Sequence, residues 1–164
     1  MMNIEEFKSH FLGGARPNRF EVEVPNLPDK ARFLFNGTNI PGSNIGEILF
    51  HYMGTIAKIA GDRTYNDWEV TLIIDEDYAG ERELRAWHEM IRENDSGKGL
   101  ANHNQYKKDC YVTQYSVDGS VIAQFKLFGA FPKTIPDTSL SWQTTDSPMD
   151  MNVQFVFDYY KRIL

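Results

Sequence analysis

The stretch over residues 60–91, AGDRTYNDWEVTLIIDEDYAGERELRAWHEMI, changes from a strand pattern to a helix pattern within one short turn. Trp68, Val70, Leu72 and Ile74 recur at every second position, the period of a strand with one buried face. Past Asp75-Glu76-Asp77 the period lengthens. Leu84, Trp87, His88 and Ile91 stand at i, i+3, i+4 and i+7, one stripe of an amphipathic helix expected over about 78–93. Asp77, Glu81 and Glu83 lie near its start, where the macrodipole favours negative charge. The run from Asn94 to Gly99 ends it and opens a polar loop to about Asn104.

Towards the N-terminus, Ile4, Phe7, Phe11 and Leu12 are spaced for a short amphipathic helix, ended by Gly13-Gly14 and too short to stand without a neighbour. Phe20, Val22 and Val24 alternate with Glu21 and Glu23 as in a half-exposed strand, which Pro25 and Pro28 close. Ala31 to Phe35 reads as a second strand, and Asn36-Gly37 and Pro41-Gly42 as turns. Ile45 to Ala60 fits neither period: a projecting hairpin and irregular core are both open for it.

Towards the C-terminus, Tyr111 to Val117 and Val121 to Phe128 flank Asp118-Gly119, the signature of a tight hairpin. Pro132 and Pro136 mark a connection outside any inner strand, with a short strand at Ser139 to Trp142. Met151, Val153, Phe155, Phe157 and Tyr159 alternate for one long final strand. Six or more strands with one substantial helix make a mainly β (α+β) chain, read as one domain over residues 1–164.

A formal net charge of −6 argues against a surface built to grip nucleic acid. Cys110, the single cysteine, admits no intrachain disulfide and reads as a small buried thiol in a reducing compartment. The N-terminal region is too charged for a signal peptide, and no run is long enough to span a bilayer.

Chemistry is sparse. Asp75-Glu76-Asp77 fails as a calcium loop, because Ala79 and Ala86 fall where ligands are needed. His10, His51, His88 and His103 lack partners at metal-ligand spacing, and His88 reads as a packed ring. Gly97-Lys98-Gly99 lacks the rest of a phosphate loop, and pairs such as Glu21 with Glu23 or Asp62 with Asp67 are what any acidic chain offers. No catalytic, cofactor or metal site is expected. The aromatics are expected mostly in the core; used instead as stacking platforms, they would suit a monomeric carbohydrate-binding β-domain.

Three motifs carry a family resemblance. Ala60-Gly61-Asp62-Arg63-Thr64-Tyr65 leads through Asp67-Trp68 into a β-run and an acidic turn. Ala15-Arg16-Pro17-Asn18-Arg19-Phe20 runs into a strand, and Tyr106-Lys107-Lys108 opens the C-terminal half. In this order, over nearly the whole chain, they resemble the tail tube proteins of contractile-tailed bacteriophages, which are related in fold to type VI secretion tube proteins. The segment from Ala130 to Pro148 matches only loosely.

The resemblance implies two packed antiparallel sheets in a barrel-like sandwich with one flanking helix. It implies a non-enzymatic virion protein forming hexameric rings, stacked into a hollow tube inside a contractile sheath. Its partners are then other copies of itself, the tail sheath protein and baseplate tube-initiation proteins, with assembly in the host cytoplasm and no membrane. Double-stranded DNA passes through the bore without specific binding. The segment Ile45 to Ile59 is expected to reach the adjacent ring, burying Ile48, Leu49, Phe50 and Ile56 only on stacking. Carboxylates in the bore would repel phosphates, and Glu21, Glu23, Glu69 and Asp158, on polar strand faces, are the candidates. A contractile bacteriocin, a secretion device or a baseplate tube initiator would use the same fold.

Overall fold

The computed structural model describes residues 3–11 and 13–164. Its strands are β1 (Phe20–Glu23), β2 (Phe35–Thr38), β3 (Ser43–Tyr52), β4 (Thr55–Tyr65), β5 (Trp68–Ile73), β6 (Lys108–Tyr115), β7 (Val121–Thr134), β8 (Asp150–Val156) and β9 (Tyr159–Arg162), and its α-helices α1 (Ile4–His10) and α2 (Ala79–Ile91). Seven strands form one antiparallel path, β1-β6-β7-β8-β5-β2, with β9 also on β7; β3 and β4 pair only with each other.

The path folds over itself because β7 changes direction at Gly129. Inward-facing Ala123 and Leu127 precede this point, and inward-facing Ala130 and Pro132 follow it, so the two-residue alternation slips by one. Gly129 takes φ 65, a left-handed value that glycine adopts without steric cost. Before it β7 pairs with β6 and β9; beyond Ala130 it pairs with β8. The two halves of the path therefore face each other. Val22, Val112 and Leu127 of one half meet Trp68, Val70, Leu72, Val153 and Phe155 of the other in a single core.

Helix α2 closes this core with Leu84 and Trp87, two residues of the stripe read from the sequence; His88 and Ile91 are half-buried beside them. Gly80 lets the first turn approach Leu72, since a Cβ there would lie 3.0 Å from its Cδ2. The two-sheet, one-helix architecture is thus the one expected.

Five local expectations are corrected, the first being Asn36-Gly37, which is no turn but lies inside β2 at an irregularity of its pairing with β5. Ala31 to Phe35 is not a strand: Asp29–Phe33 is a 3₁₀ turn in which Ala31 is buried and Phe33 projects into solvent, and β2 starts only at Phe35. Lys30, held 2.7 Å from both Asp75 and Asp77, fixes that turn against the β5–α2 connection. Pro132 lies inside β7, buried opposite Phe155. Pairing with β6 ends at Ala130, so the missing N–H of Pro132 costs no bond there. The expected final strand is two, because the chain breaks at Phe157-Asp158 to follow the turn of β7; Asp158 N–H donates to Phe128 O at 2.9 Å. Ser139 to Trp142 is loop.

Gly129 also lies against the Asp158 side chain, which a Cβ would overlap. Gly119, at φ 87, has nothing within 4 Å of such a Cβ. We expect Gly129→Ala to destabilise the fold by about 1–3 kcal/mol and Gly119→Ala by less, the first carrying both strain and overlap and the second strain alone. Urea unfolding midpoints of the two variants test this order.

Candidate assembly surfaces

Strands β3 and β4 form a hairpin whose ten-residue first arm reaches about 30 Å. Among the described residues no further strand pairs with either edge, and nearly every side chain is exposed. Its two-residue tip, Met53-Gly54, has φ values of 45 and 80, the left-handed pair that suits the twist of a tight hairpin. Where the hairpin meets the body, Tyr65 packs on Phe157 and Tyr160 at ring distances of 5.6 and 5.5 Å. A bulge between Ile45 and Glu47 sets Gly61 close against Gly46, leaving only 3.1 Å from a Cβ there to the Gly46 carbonyl oxygen. The projecting-hairpin reading of Ile45 to Ala60 is therefore the correct one.

Ile48, Leu49, Phe50 and Ile56 all lie on this hairpin and are 45–53% exposed. The register distributes them over two faces. Ile48 pairs with Ile59, Phe50 with Ala57 and Tyr52 with Thr55, giving one almost wholly apolar face. Leu49 pairs with Lys58 and His51 with Ile56, giving a mixed face that also carries a Glu47–Lys58 ion pair at 3.3 Å. Once the segment is a strand, spacing alone sets Leu49 apart from Ile48 and Phe50; placing Ile56 on the Leu49 face requires the partner strand.

A second exposed apolar set belongs to α1. A capping box of Asn3 and Glu6 starts the helix, and Phe7 stacks on Phe11 at 5.1 Å. Ile4, Phe7 and Phe11 nonetheless stay exposed; Leu12, also assigned to that stripe, lies outside the described residues. A third set, missed in the sequence, is Phe33 at the end of the 3₁₀ turn and Leu140 and Trp142 on a loop with no periodicity to reveal them. The aromatics expected in the core divide accordingly: Trp68, Trp87 and Phe155 are buried, whereas Trp142 stands free.

The four candidate carboxylates do not converge. Glu21 and Glu23 share β1 and face Arg32, at 3.9 and 2.8 Å, while the Tyr115 hydroxyl donates to Glu21 at 2.6 Å. That bond, with burial, pushes the Tyr115 phenol above its ordinary pKa. Asp158 is paired with Lys107 at 2.8 Å. Glu69 stands on β5, in the other half of the path, and accepts from the Asn152 and Gln154 amides at 3.5 and 3.3 Å without a cation.

Burial, with Asp109 and Glu23 nearby, pushes the Cys110 thiol far above its ordinary pKa, leaving a neutral core sulfur. His88 Nε2 lies 3.3 Å from the Lys133 carbonyl oxygen. Among the described residues no group of acids, histidines and cysteine is arranged to hold a metal, and no helix is long and apolar enough to cross a membrane.

A β-core folded on itself that carries a projecting hairpin of exposed apolar residues has the surface of a structural domain able to join other proteins. The family model for phage tail tube proteins matches residues 13–163, and the chain belongs to that family. It is 26% identical over 163 residues to the tail tube protein gp19 of Enterobacteria phage T4, covering 98% of this chain and all of that protein. Its fold matches a chain in the sheath-tube complex of the PVC extracellular contractile injection system in the extended state. The TM-score is 0.65 at 17% identity, covering 99% and 98% of the two chains. A type six secretion system protein shares the fold at TM-score 0.51 and 10% identity, covering 87% and 81%. The chain is accordingly a tail tube subunit of a contractile-tailed phage, a structural component of the virion.

The exposed Lys30–Asp75 pair gives a pH-dependent tie between the 3₁₀ turn and α2. The Lys30 ammonium, assisted by the Ala79 N–H, holds the Asp75 carboxyl below its ordinary 3.8, and hydrogen bonds to Asp75 and then Asp77 raise Lys30. A carboxyl lowered on folding stabilises above its unfolded pKa and loses that contribution as pH falls through the folded one. Lys30→Met should therefore lower the melting temperature at pH 6 and converge on wild type near pH 2, as calorimetry would register.

Proposed function

We propose that copies of this chain close into sixfold rings and that β3–β4 of each copy bridges to the adjoining ring. The supporting observation is the hairpin itself: a two-stranded sheet detached from the core, apolar on one face and partly apolar on the other. Such a ribbon is marginal in water alone and gains order by docking. Burying each half-exposed Ile, Leu or Phe contributes on the order of 1 kcal/mol, and a ring repeats the contact at every subunit.

The stacked tube is surrounded by a tail sheath and starts on baseplate initiator proteins, with assembly in the host cytoplasm. The role is conduction rather than catalysis, and double-stranded DNA traverses the bore without specific binding. Carboxylates in the wall keep phosphates from adhering. Of Glu21, Glu23, Glu69 and Asp158, Glu69 is the one with no cation beside it among the described residues, and it is the strongest contributor to a repelling wall.

Replacing Leu49 and Phe50 together by Asp should leave the far-ultraviolet circular dichroism and melting temperature close to wild type while abolishing tubes in electron micrographs. Normal tubes from that variant would refute the hairpin's role. Phage carrying Glu69→Lys should eject DNA more slowly than wild type, with the deficit shrinking as salt rises. An unchanged ejection rate would remove Glu69 from the bore.

A further inference from the structure

We infer that Met53, at the tip of the β3–β4 hairpin, is a site of reversible oxidation, and that its sulfoxide stops the growth of the tube. The consequence for growth rests on the stacked-ring reading; the site itself does not. Tyr52 pairs with Thr55, so Met53 and Gly54 form the whole connection, at φ 45 and 80. Asn, Asp or Gly fills the first of two such left-handed positions at least cost, and a longer side chain there carries strain. Backbone geometry therefore gives no reason for a methionine at this position.

Packing within the subunit gives none either. Met53 is 87% exposed and Tyr52 73%, and a Cβ added at Gly54 would meet nothing within 4 Å. The thioether contributes nothing to the folded subunit, and its flexible stem and polarisable sulfur suit a surface that adapts to another molecule. The other described methionines are more sheltered: Met151 is buried, Met149 half-buried, and Met90 on α2 is 41% exposed. Cys110 is buried as a neutral thiol, so it does not compete for an oxidant.

The oxidant is hydrogen peroxide, which transfers one oxygen atom to Met53 Sδ. A sulfur lone pair forms the S–O bond, the O–O bond breaks, and the second oxygen leaves as water. Sulfur loses two electrons, the peroxide gains them, and no proton is taken up or released overall. Thiols reverse the step through the reductases specific for each sulfoxide epimer: two thiols become a disulfide, and the oxygen departs as water. Oxidation turns an apolar side chain into a polar, chiral one with a strong acceptor, at the end of a strand whose exposed Phe50 and Tyr52 rings stand just behind it. A tip that sheds its water on docking leaves that acceptor without a partner, and the contact weakens.

Peptide mass mapping of the full chain in dilute hydrogen peroxide should show Met53 gaining one oxygen at least threefold faster than Met90. Chain oxidised at Met53 should keep its circular dichroism, sediment at least tenfold less tube than untreated chain, and recover when both epimer-specific reductases and a dithiol are added. Met53→Leu, which retains every other methionine, should assemble before peroxide and equally well after it. The inference is overturned by Met53 reacting no faster than Met90, by normal tubes from chain carrying the sulfoxide, or by a peroxide loss as large in Met53→Leu as in wild type. If Met53→Leu does not assemble untreated, recovery of the oxidised wild-type chain by the reductases decides, and no recovery overturns the inference. Normal tubes from the Leu49→Asp, Phe50→Asp chain would instead bring down the stacked-ring reading and leave the oxidation of Met53 standing.

Discussion

The packing of Trp68 on Phe155, with ring centroids 5.1 Å apart, is the contact on which the rest of this subunit depends. Phe155 also receives Trp87 at 6.0 Å, so one buried ring joins β5, β8 and α2. Both indoles keep a polar partner: Trp68 Nε1–H donates to the Thr38 hydroxyl at 2.9 Å and Trp87 Nε1–H to the Tyr106 carbonyl at 2.8 Å. Trp68 and Thr38 are also the residues flanking the points where the hairpin leaves and returns. The core thus holds the two feet of an element that is itself outside the core.

Much of this was legible because the core obeys short-range periods. Trp68 to Ile74 and the α2 stripe could be read directly, since one face of each element is buried by this same chain. What escaped depends on distant partners. Ala31 to Leu34 contains enough apolar residues for a strand, but Lys30 is drawn to acids more than forty positions away and the segment winds into a turn. Pro132 is tolerated only because β6 has already ended alongside it. The break at Asp158 reflects the bend at Gly129, nearly thirty residues earlier.

The candidate assembly surfaces were legible only in part, for a related reason. A strand pair that, beyond its base at Tyr65, stands exposed on both faces need not alternate polar and apolar residues, so β3 and β4 showed apolar patches without a period. The four hairpin residues came from those patches and from family resemblance; the placing of Ile56 on the Leu49 face came from pairing. Leu140 and Trp142 gave no pattern because a loop has none. Acidic positions were the least informative, since alternation says that Glu21 and Glu69 point outward without saying that they do so from opposite halves of the barrel.

On the stacked-ring proposal, the detachment of the hairpin from the barrel also bears on the order of events in tube growth. Two free subunits that meet must each hold a solvated ribbon in place, and the loss of chain entropy is set against a single contact. A subunit arriving at a completed ring finds its neighbours already fixed and loses that entropy once, against several contacts. On the proposed stacking, elongation would be favoured over spontaneous initiation. The same exposed ribbon would thereby impose a lag, and place the choice of where and when a tube begins outside the subunit.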